Sequence, residues 1–419
     1  MQRKTSERAV VLLVAMVQFV NILDFVMVMP MGPDFAVALG IPNSRLGLIG
    51  GSYTAAAMVS GLVASLFLDR FDRRPALVVS MLGLVAGTAA GGLATGMGSL
   101  LAARILAGAF GGPATSVSLS IIADVVPVER RGKALGVVMA SFSIASVLGV
   151  PAGLELAHRG GWRAPFFAVA ALGLVLTGVG AVMLPSLRGH LTGGRPAKGA
   201  QRAMTLALLR RPTVLTSYAM SFTAMMGGFV LIPNISPYVQ FNLGYPRAHL
   251  GRLYFVGGLF SFLTMQVAGR LVDRLGAVRV AAPATVLILA AIAAGFIVTP
   301  PVIPVIGIFI VFMVSMGFRN VALNTLTSRV PAPPERARFM SIQSAVQHGA
   351  SSLGAMLSTA LLVEAADHTL IGMGRVSSVS MALLGTLPFL MLAVERRLSA
   401  ARPDQTPAAV AETAVEPAE

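Results

Sequence analysis

Twelve apolar stretches of about twenty residues, separated by short segments with charges, proline or glycine, dominate the 419-residue sequence. A helix needs about 20 apolar residues to cross the hydrocarbon core of a bilayer. Only 12% of the residues are charged, whereas soluble domains carry about 25%. The sequence therefore predicts an all-α membrane protein. The predicted spans are 9–31, 45–68, 76–97, 99–121, 134–157, 165–186, 213–237, 250–272, 280–299, 302–328, 339–364 and 374–395.

The spans fall into two sets of six, separated by a basic stretch rich in glycine and proline. This composition predicts a partly flexible linker. The tail after Arg397 is rich in Ala, Pro and Glu, and we predict that it is disordered. The predicted parts are an N-terminal segment at 1–8, a six-helix bundle at 9–186, a linker at 187–212, a second six-helix bundle at 213–395 and a tail at 396–419.

The distribution of Lys and Arg predicts how the chain lies in the bilayer. With the N-terminus inside, the connectors and tails on the inner side hold 24 of these residues, the outer ends hold 6, and two lie within spans. Cytoplasmic loops of membrane proteins carry such an excess. We therefore expect both termini in the cytoplasm. The net charge of +15 is explained by these loops, so a nucleic-acid partner is not expected.

An internal repeat appears when the sequence is shifted against itself by 204 residues. Identities of Pro, Gly, Asp and Arg at one constant offset are poorly explained by coincidence among common apolar residues. Six spans separate the copies, so the repeats are parallel, and a solute site is expected between them near the bilayer midplane. The matched pairs include Phe25 with Phe229, Pro33 with Pro237, Gly40 with Gly244, Pro42 with Pro246 and Asp69 with Asp273.

Two loops carry related charged motifs, one after the second span and one after the eighth. They resemble the G-x-L-x-D-R-x-G-R-[KR] loop motif of the major facilitator superfamily, although Ser65 and Asp72 replace glycines of that motif in the first copy. The first loop contributes Asp69, Arg70, Arg73 and Arg74, and the second contributes Gly269, Asp273, Arg274 and Gly276.

Three further segments resemble the same superfamily. Arg104 to Gly108 is similar to its R-x-x-q-G motif, and residues 161–166, which read Gly-Trp-Arg-Ala-Pro-Phe, look like a motif of its drug-exporter and sugar-efflux branch. Gly149, Pro151 and Gly153 in the fifth span resemble the Gly-Pro antiporter motif, with one residue inserted. Small residues four apart also let helices approach closely, so packing alone is the alternative role.

The resemblance implies the two-bundle major facilitator fold, secondary transport without enzymatic activity, and the drug:proton antiporter or sugar-efflux branch. It implies a small-molecule substrate and protons as partners, no cofactor, a monomer, and a bacterial inner-membrane location. In the loops, Arg70, Arg73 or Arg74 would pair with Asp124 or Glu129 and close the cytoplasmic side. The alternative is that these basic loops only anchor the orientation.

Asp24, Arg104 and Arg319 are the clearest charges deep within the predicted spans. Buried charges are costly unless they are paired or face water, and they mark functional sites. Asp24 and Arg104 lie at matching depths, about 10 Å and about 8 Å from the outer ends of their helices, so they can pair. We expect Asp24 to be the proton-coupling acid, released by a conformational change that separates it from Arg104. A static structural pair is the alternative.

Polar residues within the spans are candidates for the lining of a substrate cavity. Gln18, Asn21 and Asp24 form one polar stripe on the first helix, because successive residues turn by about 100°. Each such residue alone is more often part of an interhelical hydrogen bond. The other candidates are Tyr218, Asn234, Tyr238, Arg319, Asn324, Gln343 and Gln347.

Proton-coupled export of drugs or other small organic solutes is the leading functional prediction. The alternative is a proton-coupled uptake symporter for a sugar, an organic acid or a similar nutrient, which an anion-attracting Arg104 and Arg319 would favour. A membrane-embedded enzyme or receptor would need a convergent set of catalytic groups, and the sequence offers none. It also contains no phosphate-binding loop of an ATP-driven pump and no His/Cys metal motif.

Overall fold

The computed structural model describes residues 6–67, 70–187, 198–298, 301, 303–332 and 335–400. These residues form sixteen α-helices and one two-stranded hairpin. The helices of the N-terminal half are α1 (Glu7–Val28), α2 (Gly32–Leu39), α3 (Leu46–Phe67), α4 (Arg73–Gly92), α5 (Met97–Val125), α6 (Val128–Ile144), α7 (Val150–Gly160) and α8 (Ala164–Met183). Those that follow are α9 (Lys198–Leu209), α10 (Pro212–Pro237), α11 (Leu250–Leu275), α12 (Ala277–Phe296), α13 (Val305–Ser328), α14 (Arg336–Leu361), α15 (Met373–Gly385) and α16 (Leu387–Ala400).

Eleven helical segments of the described residues are long and apolar enough to cross a membrane. Helix α14 is the twelfth span; at 26 residues it has sufficient length but carries more polar side chains than the others. Large apolar side chains on the outside of the bundle are strongly exposed, for example Val182 at 83% and Phe389 at 74%. Apolar surface of this extent is typical of contact with lipid, so the all-α membrane architecture with twelve spans is confirmed.

The fifth span contains an irregular turn near the middle of its length. Helices α6 and α7 are joined through a π-helical turn at Ala145–Gly149, directly before Pro151. A second π-turn, Tyr238–Asn242, follows Pro237 at the end of α10. A π-turn accommodates an extra residue within a helix and often lies at functional sites.

The internal repeat is present in the backbone as well as in the sequence. Gly40 and Gly244, which are 204 residues apart, adopt nearly the same left-handed conformation, with φ of 63° and 64°. Glycine has no Cβ and so takes up positive φ at little cost. After each glycine, the chain forms a 3-10 turn, Asn43–Arg45 or Arg247–His249, and then begins a long helix. The two halves therefore start their second spans in the same way.

Three short elements were not predicted, and the first is helix α2, which lies between the first two predicted spans. Helix α9 lies within the expected linker 187–212, while residues 188–197 lie outside the described part of the chain. Strands β1 (Val363–Glu364) and β2 (Leu370–Ile371) form an antiparallel hairpin after α14. In its turn, hydrogen bonds from Thr369 lower the pKa of the exposed Asp367 below its ordinary value, so the turn carries a charged carboxylate. We call the side where α1 begins and α16 ends the termini side, and the opposite side the far side.

Candidate functional site

Asp24 and Arg104 form an ion pair in the interior of the N-terminal half. Nη1 of Arg104 lies 3.0 Å and 3.1 Å from the two carboxylate oxygens, and Nη2 donates to the carbonyl of residue 24 at 3.3 Å. The Thr88 hydroxyl donates a third hydrogen bond to the carboxylate at 2.8 Å. Asp24 is 0% exposed and Arg104 is 1% exposed. The three helices α1, α4 and α5 thus meet at one sealed acid whose charge is balanced by a single guanidinium.

Tyr53 of α3 connects this pair to a second polar group on α1. Its ring centroid lies 4.6 Å from the guanidinium carbon of Arg104, and its hydroxyl donates to Oδ1 of Asn21 at 2.7 Å. Asn21 in turn donates to the Thr115 hydroxyl and to the Gly111 carbonyl of α5. Asn21, the middle residue of the predicted polar stripe, is therefore satisfied by α3 and α5, inside one half of the protein. Gln18 is also buried, and its Oε1 has no partner in the described structure.

An aromatic stack joins the two halves next to this network. The Phe25 ring is stacked on Tyr53, with centroids 5.2 Å apart, and on Phe229 of α10, with centroids 5.8 Å apart. Phe25 and Phe229 are counterparts in the 204-residue repeat. The stack therefore crosses the interface between the halves at equivalent positions of the two repeats. Phe25, which takes part in it, directly follows Asp24 in the sequence.

Polar contacts close the far side between the halves. Nε of Arg247, before α11, donates to Asp34 of α2 at 2.6 Å. Asn43, before α3, donates to Glu364 of the hairpin through its backbone N–H and through Nδ2 at 3.0 Å. Ser236 of α10 donates to the carbonyl of residue 30 at 2.7 Å. Asn43 and Arg247 are repeat counterparts, so each half contributes one equivalent residue to this closure.

Helices from opposite halves also approach one another closely toward the far side. A Cβ added at Gly47 of α3 would lie 2.1 Å from the Ala355 carbonyl of α14, and one added at Gly258 of α11 would lie 3.0 Å from Val147 of the fifth span. On the termini side, the ion pairs of the described residues lie within one half: Arg73 with Asp124, Arg130 with Glu7, and Arg211 with Glu335. Nearer the middle of the bundle, Ser143 of α6 donates to Sδ of Met265 of α11 at 3.3 Å across the interface. Within the described part of the chain, ion pairs between the halves are thus found on the far side.

The loop residues predicted to gate the termini side have unequal surroundings. Arg73 is buried and its Nε donates to Asp124 at 3.1 Å, whereas Arg70 is exposed and Arg74 is half-buried. Asp273 and Arg274 are exposed, and within the described structure Asp273 forms no ion pair. Asp69 lies outside the described residues.

Three further residues of these loops differ in their surroundings. Gly276, with φ of 91°, ends α11 and precedes α12, and open space surrounds a Cβ built at Gly269. Asp72, which replaces a motif glycine, accepts hydrogen bonds from the Arg74 N–H and the Leu187 N–H. This carboxylate therefore caps α4 and ties it to the end of the sixth span, a role that the sequence did not suggest.

The fifth-span motif packs against both the first span and the other half. A Cβ at Gly149 would lie 2.6 Å from the Leu23 side chain, and one at Gly153 would lie 3.8 Å from Met27. The Pro151 carbonyl lies 3.9 Å from a Cβ built on Gly251 of α11. These small residues thus allow α1 and the eighth span to approach the fifth span on its two sides.

The predicted cavity residues of the second half are spread along the helices rather than gathered at one point. Tyr218 donates to the Phe339 carbonyl at 3.2 Å, and Gln343 donates to Ser221; both contacts join α10 to α14. Asn234 lies about 24 Å further along α10, at 1.5 Å per residue. It is buried, with Nδ2 bonded to the carbonyl of residue 230.

The remaining candidates also differ in their surroundings. Tyr238 is buried against Phe296, with ring centroids 5.3 Å apart, and thus packs within the second half. Gln347 is half-buried and Asn324 is exposed. Arg319 is 1% exposed, and its nitrogens Nε and Nη1 have no partner among the described residues.

Comparisons with known proteins agree with this architecture. A family model described as Major Facilitator Superfamily matches residues 14–400. The chain is 27% identical over 364 residues to a chloramphenicol resistance protein of Streptomyces lividans, covering 85% of this chain and 90% of that protein. It is 26% identical to a purine ribonucleoside efflux pump of Escherichia coli, covering 82% and 84%.

Solved structures show the same fold at lower sequence identity. A bacterial homologue of the human lysosomal transporter Spinster, in an inward-facing and occupied conformation, superimposes with a TM-score of 0.71 at 16% identity, covering 96% of this chain and all of that one. A D-xylose-proton symporter has a TM-score of 0.72 at 16% identity, covering 91% and 96%.

Proposed function

Because this chain belongs to the major facilitator superfamily, whose members are secondary transporters, we propose that it exports small organic solutes in exchange for protons. The observation that carries the proton coupling is the sealed pair of Asp24 with Arg104. It places one titratable acid beside one permanent cation at the core of the N-terminal half. Export is supported by the names of the chloramphenicol resistance protein and the purine ribonucleoside efflux pump.

The proposed coupling step follows from the cost of a buried charge. In the far-side-closed state, Arg104 and Thr88 satisfy both carboxylate oxygens of Asp24, and the guanidinium compensates a negative charge there. A movement of α1 relative to α5 that lengthens these bonds leaves a buried carboxylate without compensation, which is very unfavourable. Uptake of one proton removes that charge. Opening toward the far side would thus load the acid, and re-formation of the ion pair would release the proton on the other side.

The proposed orientation places the termini side in the cytoplasm. The excess of Lys and Arg in the connectors on that side supports it, following the positive-inside rule. The structure would then be inward-facing. The loop residues Arg70 and Asp273 would close this side only when the far side opens, which agrees with their exposure here.

Transport by the purified full-length protein in proteoliposomes tests the proposal. Liposomes with an acidic interior are diluted into neutral buffer containing labelled chloramphenicol or inosine. An antiporter accumulates the solute as protons leave, whereas a symporter does not. Asp24→Asn should abolish the accumulation driven by the pH gradient while keeping exchange between labelled and unlabelled solute.

Glu155→Gln is the matched control, because Glu155 is an exposed acid paired only with Arg159 at the end of α7. Accumulation by Asp24→Asn equal to that of Glu155→Gln would contradict the assignment of Asp24.

A further inference from the structure

Arg319 is a second arginine in the protein interior, and it has no counter-charge. It lies about 21 Å from the beginning of α13 and about 14 Å from its end, at 1.5 Å per residue. It is as buried as Arg104, at 1% exposure. No carboxylate of the described residues lies within ion-pair distance of it. The C-terminal half therefore carries an uncompensated positive charge deep in the membrane region.

The hydrogen-bonding capacity of Arg319 is largely unused. Nη2 donates to Oδ1 of its half-buried neighbour Asn320 at 3.1 Å, while Nε and Nη1 have no partner in the part of the chain that the structure describes. The Ser315 hydroxyl, one turn earlier on the same face of α13, is also buried without a partner. This face of the helix thus presents donors without acceptors, and a buried unsatisfied donor is costly.

The 204-residue repeat shows that this half has no acid at the position that corresponds to Asp24. The counterpart of Asp24 at the 204-residue offset is Gly228 of α10. A Cβ built there would have Met316 of α13 at 3.9 Å and the Ile232 side chain at 3.6 Å, so the position has room. Met316 lies one turn before Arg319. At the same offset Arg104 corresponds to Ile308, so Arg319 is not its repeat counterpart. What the repeat shows is that α10 carries a glycine, and therefore no carboxylate for Arg319, at the position where α1 carries Asp24.

We propose that Arg319, with Ser315 beside it, binds an anionic group of the transported solute, such as an aromatic carboxylate. A guanidinium presents its donors in a fork that matches a carboxylate or phosphate. Asn320 Oδ1 occupies one of these donors in the absence of solute, and a ligand oxygen would replace it. This assignment rests on the proposed function, because it names a class of solute that the same transporter takes, small organic anions, beside the neutral solutes with which that function is tested.

The thermal stability of the ligand-free protein distinguishes an anion-binding site at Arg319 from a structural ion pair. Removing an unpaired buried charge takes away its desolvation cost. We therefore expect Arg319→Gln to unfold at the same or a higher temperature than the unsubstituted protein when no ligand is present, and to lose anion binding. Arg319→Lys keeps the charge but lacks the fork, so it should bind anions with intermediate affinity.

The test measures unfolding temperature for the full-length protein in detergent, titrated with benzoate and salicylate and with their neutral counterparts benzamide and salicylamide. We expect the anions, but not the amides, to raise the unfolding temperature. Arg319→Gln should weaken this apparent affinity by about ten- to a hundredfold, as expected for losing a charge-assisted hydrogen bond. Arg159→Gln, which changes an exposed arginine, should leave it unchanged.

Three outcomes would overturn the assignment: no anion-specific shift, equal shifts with anions and amides, or unchanged anion affinity in both Arg319 variants. Asp24→Asn separates this inference from the proposed function. If that variant retains both proton-driven accumulation and anion binding, the coupling proposal fails while the anion site stands.

Discussion

The guanidinium of Arg104 rests 4.6 Å from the ring centroid of Tyr53 while it donates to the Asp24 carboxylate. Arg104 therefore has two sources of compensation, and only one of them would be lost in the proposed protonation of Asp24. A cation above a buried aromatic ring gains about 2 kcal/mol. The Tyr53 ring also stacks on Phe25, which contacts Phe229 of the other half. A continuous series of contacts thus joins Asp24, through Arg104 and Tyr53 of α3, to the interface between the halves.

Replacement of Tyr53 separates the role of its ring from that of its hydroxyl. Tyr53→Phe keeps the ring over Arg104 and loses the hydrogen bond to Asn21, a loss of about 1 kcal/mol in unfolding free energy. Tyr53→Leu also removes the ring face. We expect proton-driven transport in proteoliposomes to persist in Tyr53→Phe and to fall strongly in Tyr53→Leu. Equal activity of the two variants would show that the ring does not support Arg104.

Removal of one partner of the buried pair should cost more than removal of both. Arg104→Gln leaves Asp24 buried without its cation, which costs about 3–5 kcal/mol. The double variant Asp24→Asn with Arg104→Gln leaves no charge and should recover much of that loss. Chemical denaturation in detergent measures the effect. A double variant no more stable than Arg104→Gln would contradict the charge argument. Arg159→Gln, at an exposed pair, should change stability by less than about 1 kcal/mol.

Much of the fold could be predicted because it is determined by local sequence patterns. Apolar stretches of spanning length gave the helices, and the constant offset of 204 residues gave two parallel halves whose Gly40 and Gly244 share one conformation. The pairing of Asp24 with Arg104 followed from matching depths in the membrane. Depth is fixed by helical rise, so a contact between two lone charges could be anticipated without knowing the packing.

Other parts of the site depend on packing that no local pattern encodes. Arg247 and Asp34 are 213 residues apart and lie in different halves, so their contact required the arrangement of the bundles. Tyr53 is one aromatic residue in an apolar span and carries no periodic signal. Conversely, the sequence predicted that Tyr238 lines a cavity, whereas its ring packs against Phe296 within its own half.

The ion pair of Asp34 with Arg247 should hold the far side closed. Both side chains are about one-fifth to one-quarter exposed, so the pair contributes about 1 kcal/mol, which changes the closed-to-open ratio by roughly fivefold. The sequence contains no cysteine. Ser236→Cys therefore introduces one label site, buried between the halves on the far side.

Labelling of this cysteine by a membrane-impermeant maleimide reports on far-side opening. Adding Asp34→Asn or Arg247→Gln should speed the labelling by roughly the fivefold factor given above. The charge exchange Asp34→Arg with Arg247→Asp should slow it again. Labelling rates that do not respond to either single change would show that this pair does not hold the closure.

Gly47 on α3 should be essential for the same closed state for a steric reason. A Cβ at this position would lie 2.1 Å from the Ala355 carbonyl of α14, and a backbone atom cannot move away without separating the two helices. Gly47→Val should therefore disfavour far-side closure by about 1–3 kcal/mol, the usual range for overpacking. The matched control is Gly61→Val on the same helix, because nothing lies within 4 Å of a Cβ there. We expect Ser236→Cys to be labelled at least several times faster in the Gly47 variant than in the Gly61 variant, and equal rates would mean that the halves close without this contact.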